Sequence, residues 1–224
     1  MEVPIIYEDN HLLVIEKPVN VPVQQDRSGD KDLLNLLKEY IKKRDHKPGN
    51  VFLGLVHRLD RPVGGVIVFA KTSKAASRLS DAIRRNDFQR TYLAVVRGIP
   101  KQSNGKLVHY LYKDRKKNKV YPVAKNHRQG KKAVLTYEVL DHNQQEQLSL
   151  LAVQLHTGRS HQIRVQLATI GHPLFGDQKY GVKVNQPGEQ IALWAHTLAF
   201  PHTTSKEWLS FQANPPKKFP WTLW

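Results

Sequence analysis

A chain of 224 residues with 35 Lys and Arg against 19 Asp and Glu carries a formal charge of +16, and it contains no cysteine. That charge points to a polyanionic partner, and the missing thiols exclude disulfides, thiolate metal sites and cysteine nucleophiles. A hydrophobic content of 40% is ordinary for a globular protein. The longest apolar runs, such as Gly65-Val66-Ile67-Val68-Phe69-Ala70, are far too short to span a bilayer, so nucleic acid is the expected polyanion rather than a membrane. The start Met1-Glu2-Val3-Pro4 lacks the regions of a signal peptide, which makes a reduced, cytoplasmic setting the default. The 11 histidines show no helical ligand pairing, and none is read as a metal ligand.

In chain order, Ile5-Ile6-Tyr7 and Leu12 to Glu16 flank Glu8-Asp9-Asn10, the turn of a hairpin. From Asp32 to Lys43 the apolar positions Leu33, Leu36, Leu37, Tyr40 and Ile41 recur at helical spacing, with Asp30 or Asp32 as the cap. Val51 to Val56 reads as a short strand. It delivers Val56-His57-Arg58-Leu59-Asp60-Arg61-Pro62-Val63-Gly64-Gly65, whose Pro62-to-Gly65 end reads as a tight surface connection. Val66 to Ala70 is a strand, and Thr72-Ser73 caps a helix that turns Ala76, Leu79 and Ile83 inward. Phe88 to Val96 is a further strand carrying Tyr92.

Gly98 to Gly130 changes character. Lys113, Arg115, Lys116, Lys117 and Lys119 precede Val120-Tyr121-Pro122-Val123, and Lys125, Arg128, Lys131 and Lys132 follow. This is a basic β-ribbon or loop, for which a lysine-protected sheet edge and a phosphate-contacting surface are equal readings. Ala133 to Asp141 and Leu148 to Leu155 form a second hairpin. His156 to Arg164 then passes through a glycine turn into a helix capped by Ser160, with Ile163, Leu167 and Ile170 inward and Gly171 ending it. Its N-terminus beside Arg159 has the character of an anion site. Gly171 to Gly181 is a long Gly- and Pro-punctuated loop, Ile191 to Phe200 and Trp208 to Gln212 are late strands, and Asn214 to Trp224 is a Pro-rich tail. No repeat or composition break divides the chain, so one domain is expected, of α+β class with a largely antiparallel sheet flanked by helices.

His57-Arg58-Leu59-Asp60 in isolation is a charged loop in which Arg58 and Arg61 favour ionised Asp60. Three other stretches join it in order: Arg90-Thr91-Tyr92-Leu93-Ala94-Val95-Val96-Arg97-Gly98, His156 through Leu167, and Gly171 through Gly181. Together they resemble the RluA-type pseudouridine synthases over nearly the whole chain, from about Ile5 to Gln212. Val63-Gly64-Gly65 stands where that family has Thr-Ser-Gly, and Lys17-Pro18-Val19-Asn20 stands where it has K-P-x-G. The resemblance implies the pseudouridine-synthase fold over residues 1–224 without a separate N-terminal S4 domain.

It further implies an isomerase that breaks the C1′–N1 bond of a uridine in ribosomal or transfer RNA, rotates the base and rejoins it through C5. Glycosyl chemistry of this kind needs a carboxylate near C1′, and Asp60 is that carboxylate. By the same resemblance Arg164 pairs with Asp60, Tyr92 lies against the uracil, and Arg58 fills the gap left by an extruded base. His57, Arg61, Arg159, His161 and Gln162 complete the RNA-contacting set, with His57 supporting the loop rather than transferring protons. No step calls for a metal or other cofactor, and a monomer is expected. A glycosidase using the same carboxylate, or an RNA-binding protein that has kept the fold without the activity, are the alternatives.

Overall fold

A computed structural model describes residues 3–26 and 28–224; the Met1-Glu2 start lies outside the described residues. Two compact units are formed, one from the chain up to Arg90 with Ala195–Asn214, the other from Thr91–Trp194 with Pro215–Trp224. Both are built on antiparallel strands, and the described residues include three α-helices, so the class is α+β as expected. None of these helices is long and apolar enough to cross a membrane.

In the first unit, strands β1 (Ile5–Glu8) and β2 (Leu12–Lys17) form the expected hairpin. Its turn is closed by Asp9, whose Oδ1 accepts from the backbone N–H groups of His11 and Leu12 at 2.7 and 2.6 Å. Strand β3 shrinks to Gly54–Leu55 and lies on β4 (Gly64–Ala70), which also pairs with β2. Strand β10 (Leu193–Pro201) runs beside β4 and carries β11 (Trp208–Gln212). All of β4 and nearly all of β2 are buried, which is why both read as continuous apolar runs rather than alternating ones.

Helix α1 (Leu33–Arg44) buries Leu33, Leu37 and Ile41 and is capped by Asp32, whose side chain accepts from Asn35 N. Helix α2 (Ser73–Arg85) is capped by Thr72 as expected, but it buries Ala75, Leu79 and Ala82 rather than Ala76, Leu79 and Ile83. Both triplets fit a helical period, and alanines differ too little from their neighbours for the sequence to choose the stripe.

The expected surface connection at Pro62-to-Gly65 is corrected: Gly64 and Gly65 belong to buried β4. Gly65 has φ +112°, and a Cβ there would lie 2.2 Å from the carbonyl oxygen of Ala195. Only glycine combines that φ with so close a backbone neighbour, so it is β10, not a ligand, that approaches. The Asn20 departure has an equally local reason. Its φ of 64° lies in the left-handed region that asparagine tolerates better than most residues.

In the second unit, β5 (Gln89–Arg97), β9 (Leu148–Leu155), β8 (Lys131–Asn143), β6 (Asn104–Asp114) and β7 (Lys119–Val123) lie side by side in that order. The stretch expected as a ribbon or loop is thus a paired ribbon, β6 with β7. Val165 of helix α3 (Gln162–Thr169) packs with Leu111, Val120 and Ala133, which docks the helix on that ribbon. A second cluster of Val95, Leu148, Phe175 and Ala192 is covered by Trp221, Leu223 and Trp224, and Phe219 meets Phe175 edge-on at 5.4 Å. What the sequence presents as a Pro-rich tail is therefore a docked segment. Four aromatic or aliphatic side chains among its prolines were the signal for it.

Candidate functional site

Asp60 lies in the connection between β3 and β4 and is half-buried. Its carbonyl oxygen accepts from Val63 N at 2.9 Å, closing a turn over residues 60–63. The turn is held from below by a residue that sequence reasoning missed. Lys17, at the end of β2 and fully buried, directs its ammonium into the turn and donates to the carbonyls of Pro18, Arg61 and Val63 at 2.8, 3.1 and 2.7 Å. All three donors of the ammonium are used. Burial pushes the Lys17 pKa down to about 7, against the opposing pull of the Asp60 carboxylate. The hints in the sequence were a lysine at the end of a largely apolar strand and its place in the Lys17-Pro18 stretch.

The residues flanking Asp60 divide by direction. Arg58 is exposed. His57 turns inward: its Nε2 accepts from Val68 N at 3.3 Å, and its ring meets Phe88 edge-on at 5.2 Å, while Phe88 stacks on Phe200. Burial, with the charge of Arg90 second, pushes its pKa down to about 3, so the imidazole is neutral at physiological pH. Although the residue as a whole is half-buried, Nδ1 is sealed from solvent. The His57 ring is thus tied into the fold through Val68 and Phe88.

Arg61 is not spent on a clamp around Asp60. Its guanidinium pairs with Asp30 and, at 3.8 Å, with Asp26, and its Nε donates to the Asn20 carbonyl at 3.2 Å. This ties the Asp60 turn to the segment before α1. The pairing with Asp30 also leaves Asp32 as the helix cap.

In the second unit, Arg164 projects from α3 with its side chain 8% exposed and holds Asp177 through Nε and Nη2, both at 2.8 Å. The guanidinium also lies 5.3 Å over the Tyr180 ring. Asp177 accepts from the backbone N–H groups of Lys179 and Tyr180 as well. Burial alone would raise its pKa, but the Arg164 guanidinium and these two amides outweigh that and lower it. In the sequence Asp177 stands only as part of the glycine-punctuated loop. Its role as the fixed partner of Arg164 was not apparent, because no short-range pattern links a loop aspartate to a helix arginine 13 positions earlier. Tyr92 lies buried on β5, opposite Val153.

The start of α3 departs from expectation. Ser160 is not the cap; the N-cap is His161, in the left-handed region at φ 52° and without a side-chain capping bond. Gln162 does the satisfying instead. Its Oε1 accepts from the Thr157 hydroxyl at 2.7 Å and from Arg159 N at 3.0 Å, and its Nε2 donates to the Val134 carbonyl. Gln162 is buried and joins β8 to the start of the helix. Arg159 is exposed, with Nε donating to the Lys132 carbonyl at 3.0 Å, and His161 Nδ1 lies 2.6 Å from the Tyr180 hydroxyl.

The first unit thus presents a half-buried aspartate on a braced turn, the second a fixed buried guanidinium, and the chain as a whole is strongly basic. The family model for RNA pseudouridylate synthases matches residues 11–169, and the chain belongs to that family. It is 35% identical to an uncharacterized RNA pseudouridine synthase of Aquifex aeolicus over 96% of this chain and 70% of that protein. It is 34% identical to ribosomal large subunit pseudouridine synthase D of Vibrio cholerae over 95% of this chain and 67% of that protein. Among solved structures, human RNA pseudouridylate synthase domain containing 4 superposes with a TM-score of 0.80 at 25% identity, covering 98% of this chain and 91% of that one.

Proposed function

We propose that the chain converts uridine in ribosomal RNA to pseudouridine, with Asp60 as the carboxylate acting at C1′. The observation that carries this reading is the Lys17-braced turn, which fixes the backbone immediately after Asp60, at Arg61 and Val63, while leaving the Asp60 side chain half-buried rather than sealed. In the reaction the C1′–N1 bond breaks, the uracil turns, C5 bonds to C1′, the C5 proton departs and N1 gains a proton. Asp60 either bonds to C1′ or stabilises the positive charge that develops there. Tyr92 lies against the base and assists removal of the C5 proton. Arg164, oriented by Asp177, supplies fixed positive charge in the site, and Arg58, being exposed, is the side chain that takes the place of the extruded base. Arg159 and His161 contact the RNA backbone. The chain works as a cytoplasmic monomer. The likeness to a ribosomal large subunit enzyme supports ribosomal RNA as the substrate.

The test is Asp60→Asn against RNA carrying tritium at uracil C5. Wild type releases tritium to water and leaves pseudouridine that carbodiimide primer extension maps to one position or a few. Asp60→Asn releases none. Equal release from both proteins refutes the assignment, and free uracil with abasic RNA identifies a glycosidase instead.

A further inference from the structure

The β6–β7 ribbon is in excess of what a sheet edge needs. Between Lys113 and Lys132 there are nine Lys and Arg and one acidic residue, Asp114. That one carboxylate caps the ribbon's turn, its Oδ1 accepting from the backbone N–H groups of Lys116 and Lys117 at 2.9 and 3.0 Å, and it offsets only one of the nine positive charges. Lys113, Arg115, Lys116 and Lys117 are all exposed. Edge protection is already provided by Pro122 on β7, which has no N–H to offer another strand.

The ribbon is also anchored to the segment that leads into α3 and to the loop that follows that helix. Lys113 Nζ donates to Ser160 Oγ at 3.3 Å, and Lys179 Nζ donates to the Asn118 carbonyl at 2.8 Å. Tyr180 joins the two elements, with its hydroxyl accepting from Val120 N at 2.9 Å while also bonding His161. The ring of the same tyrosine lies under Lys119 and Arg164. A flexible lysine-rich loop would lose most of its binding energy to ordering, whereas a paired strand fixed at four points presents its charges in place.

We propose that this ribbon, together with Arg159 and His161 in the approach to α3, is a docking surface for the phosphodiester backbone of structured RNA. It holds the substrate through successive phosphates and contributes affinity without base selection. This rests on RNA being the substrate, and it names the surface that holds it.

The test compares two triple variants of equal charge. Lys113, Lys116 and Lys117→Gln alters the ribbon; Lys42, Lys43 and Lys74→Gln alters exposed lysines of α1 and α2. Binding of a fluorescein-labelled RNA stem-loop is measured over a salt series. The ribbon triple is expected to flatten the slope of log affinity against log salt by about 2 to 3 and to weaken binding tenfold or more at low salt. The helix triple leaves the slope as in wild type. Equal effects of the two triples, or none from the ribbon triple, overturn the proposal. A second measurement uses the wild-type protein: bound RNA protects Lys113, Lys116 and Lys117 from reductive methylation but not Lys42, Lys43 or Lys74, and the reverse pattern overturns it. Asp60→Asn carries the ribbon intact and keeps the wild-type salt slope, so loss of turnover and loss of docking are separate results.

Discussion

Replacing Lys17 by methionine separates two quantities that usually move together, global stability and the order of the Asp60 turn. The side chains are of similar length, so the cavity term is small. The ammonium's pKa falls from 10.5 to about 7 on folding. At 1.36 kcal/mol per unit, the charged form is disfavoured in the folded protein by roughly 5 kcal/mol. Methionine removes that penalty but leaves the carbonyls of Pro18, Arg61 and Val63 without their donor, at about 1–3 kcal/mol each. The terms nearly cancel below pH 7, and the melting temperature of Lys17→Met is expected within a few degrees of wild type. Turnover is expected to fall about a hundredfold, since a small misplacement of a reacting group is worth that much. Single-turnover tritium release from RNA labelled at uracil C5 reads this directly.

The pH dependence sharpens the expectation. Below about pH 7 both folded and unfolded chains hold the Lys17 proton and the penalty is fully present. Between pH 7 and 10.5 the unfolded chain still holds a proton that the folded one has released, so this group makes stability rise with pH across that window. A neutral amine, however, has two donors for three carbonyls, so the turn loosens as the fold gains stability. Wild type should lose turnover while gaining this contribution, and Lys17→Met should show neither change. A methionine variant with the wild-type rate and pH profile would refute the reasoning.

Gly65→Ala is expected to lower the unfolding free energy measured in urea by more than about 3 kcal/mol, because both its φ and the Ala195 carbonyl exclude a Cβ; an unchanged urea midpoint would mean that β4 and β10 separate without difficulty. Asp177→Asn leaves the Arg164 guanidinium buried beside an amide, and a loss of about 3–5 kcal/mol is expected in chemical unfolding at pH 7. Because the folded pKa of Asp177 is lowered, its contribution is complete above the unfolded value near 4 and is lost only as pH falls through the lower folded value. The difference between wild type and Asp177→Asn should therefore hold down to about pH 4 and shrink below it. A difference that vanishes by pH 6 would contradict the assigned pairing.

Periodicity and turn chemistry were enough to locate β1, β2, α1, α2, β5 and the β8–β9 hairpin, since each has an apolar pattern of the right period between recognisable breakers. The motif order was enough for the family. What escaped were features made by distant parts of the chain. A buried lysine beneath Asp60, the commitment of Arg61 to Asp26 and Asp30, and the Asp177 partner of Arg164 all join residues whose neighbours in sequence say nothing of one another. Gly65 shows the same limit, for its glycine is required by a backbone 130 positions later, at Ala195. The Ser160 cap failed for another reason: a glutamine two residues on met the same needs through its side chain, which capping preferences do not anticipate.

The docked segment from Pro215 to Trp224 bears on the order in which the chain acquires its structure during synthesis. The second unit draws on Thr91–Trp194 and on these last residues, with Ala195–Asn214 given to the first unit between them. A ribosome that has made residue 194 has supplied every strand of the second unit, yet Val95, Leu148, Phe175 and Ala192 still lack the tryptophans that cover them. That apolar cluster stays uncovered until residues 221–224 leave the exit tunnel. During that interval the nascent chain offers a binding surface for a chaperone, and a message truncated between codons 213 and 221 yields a protein with every described strand formed and one core open.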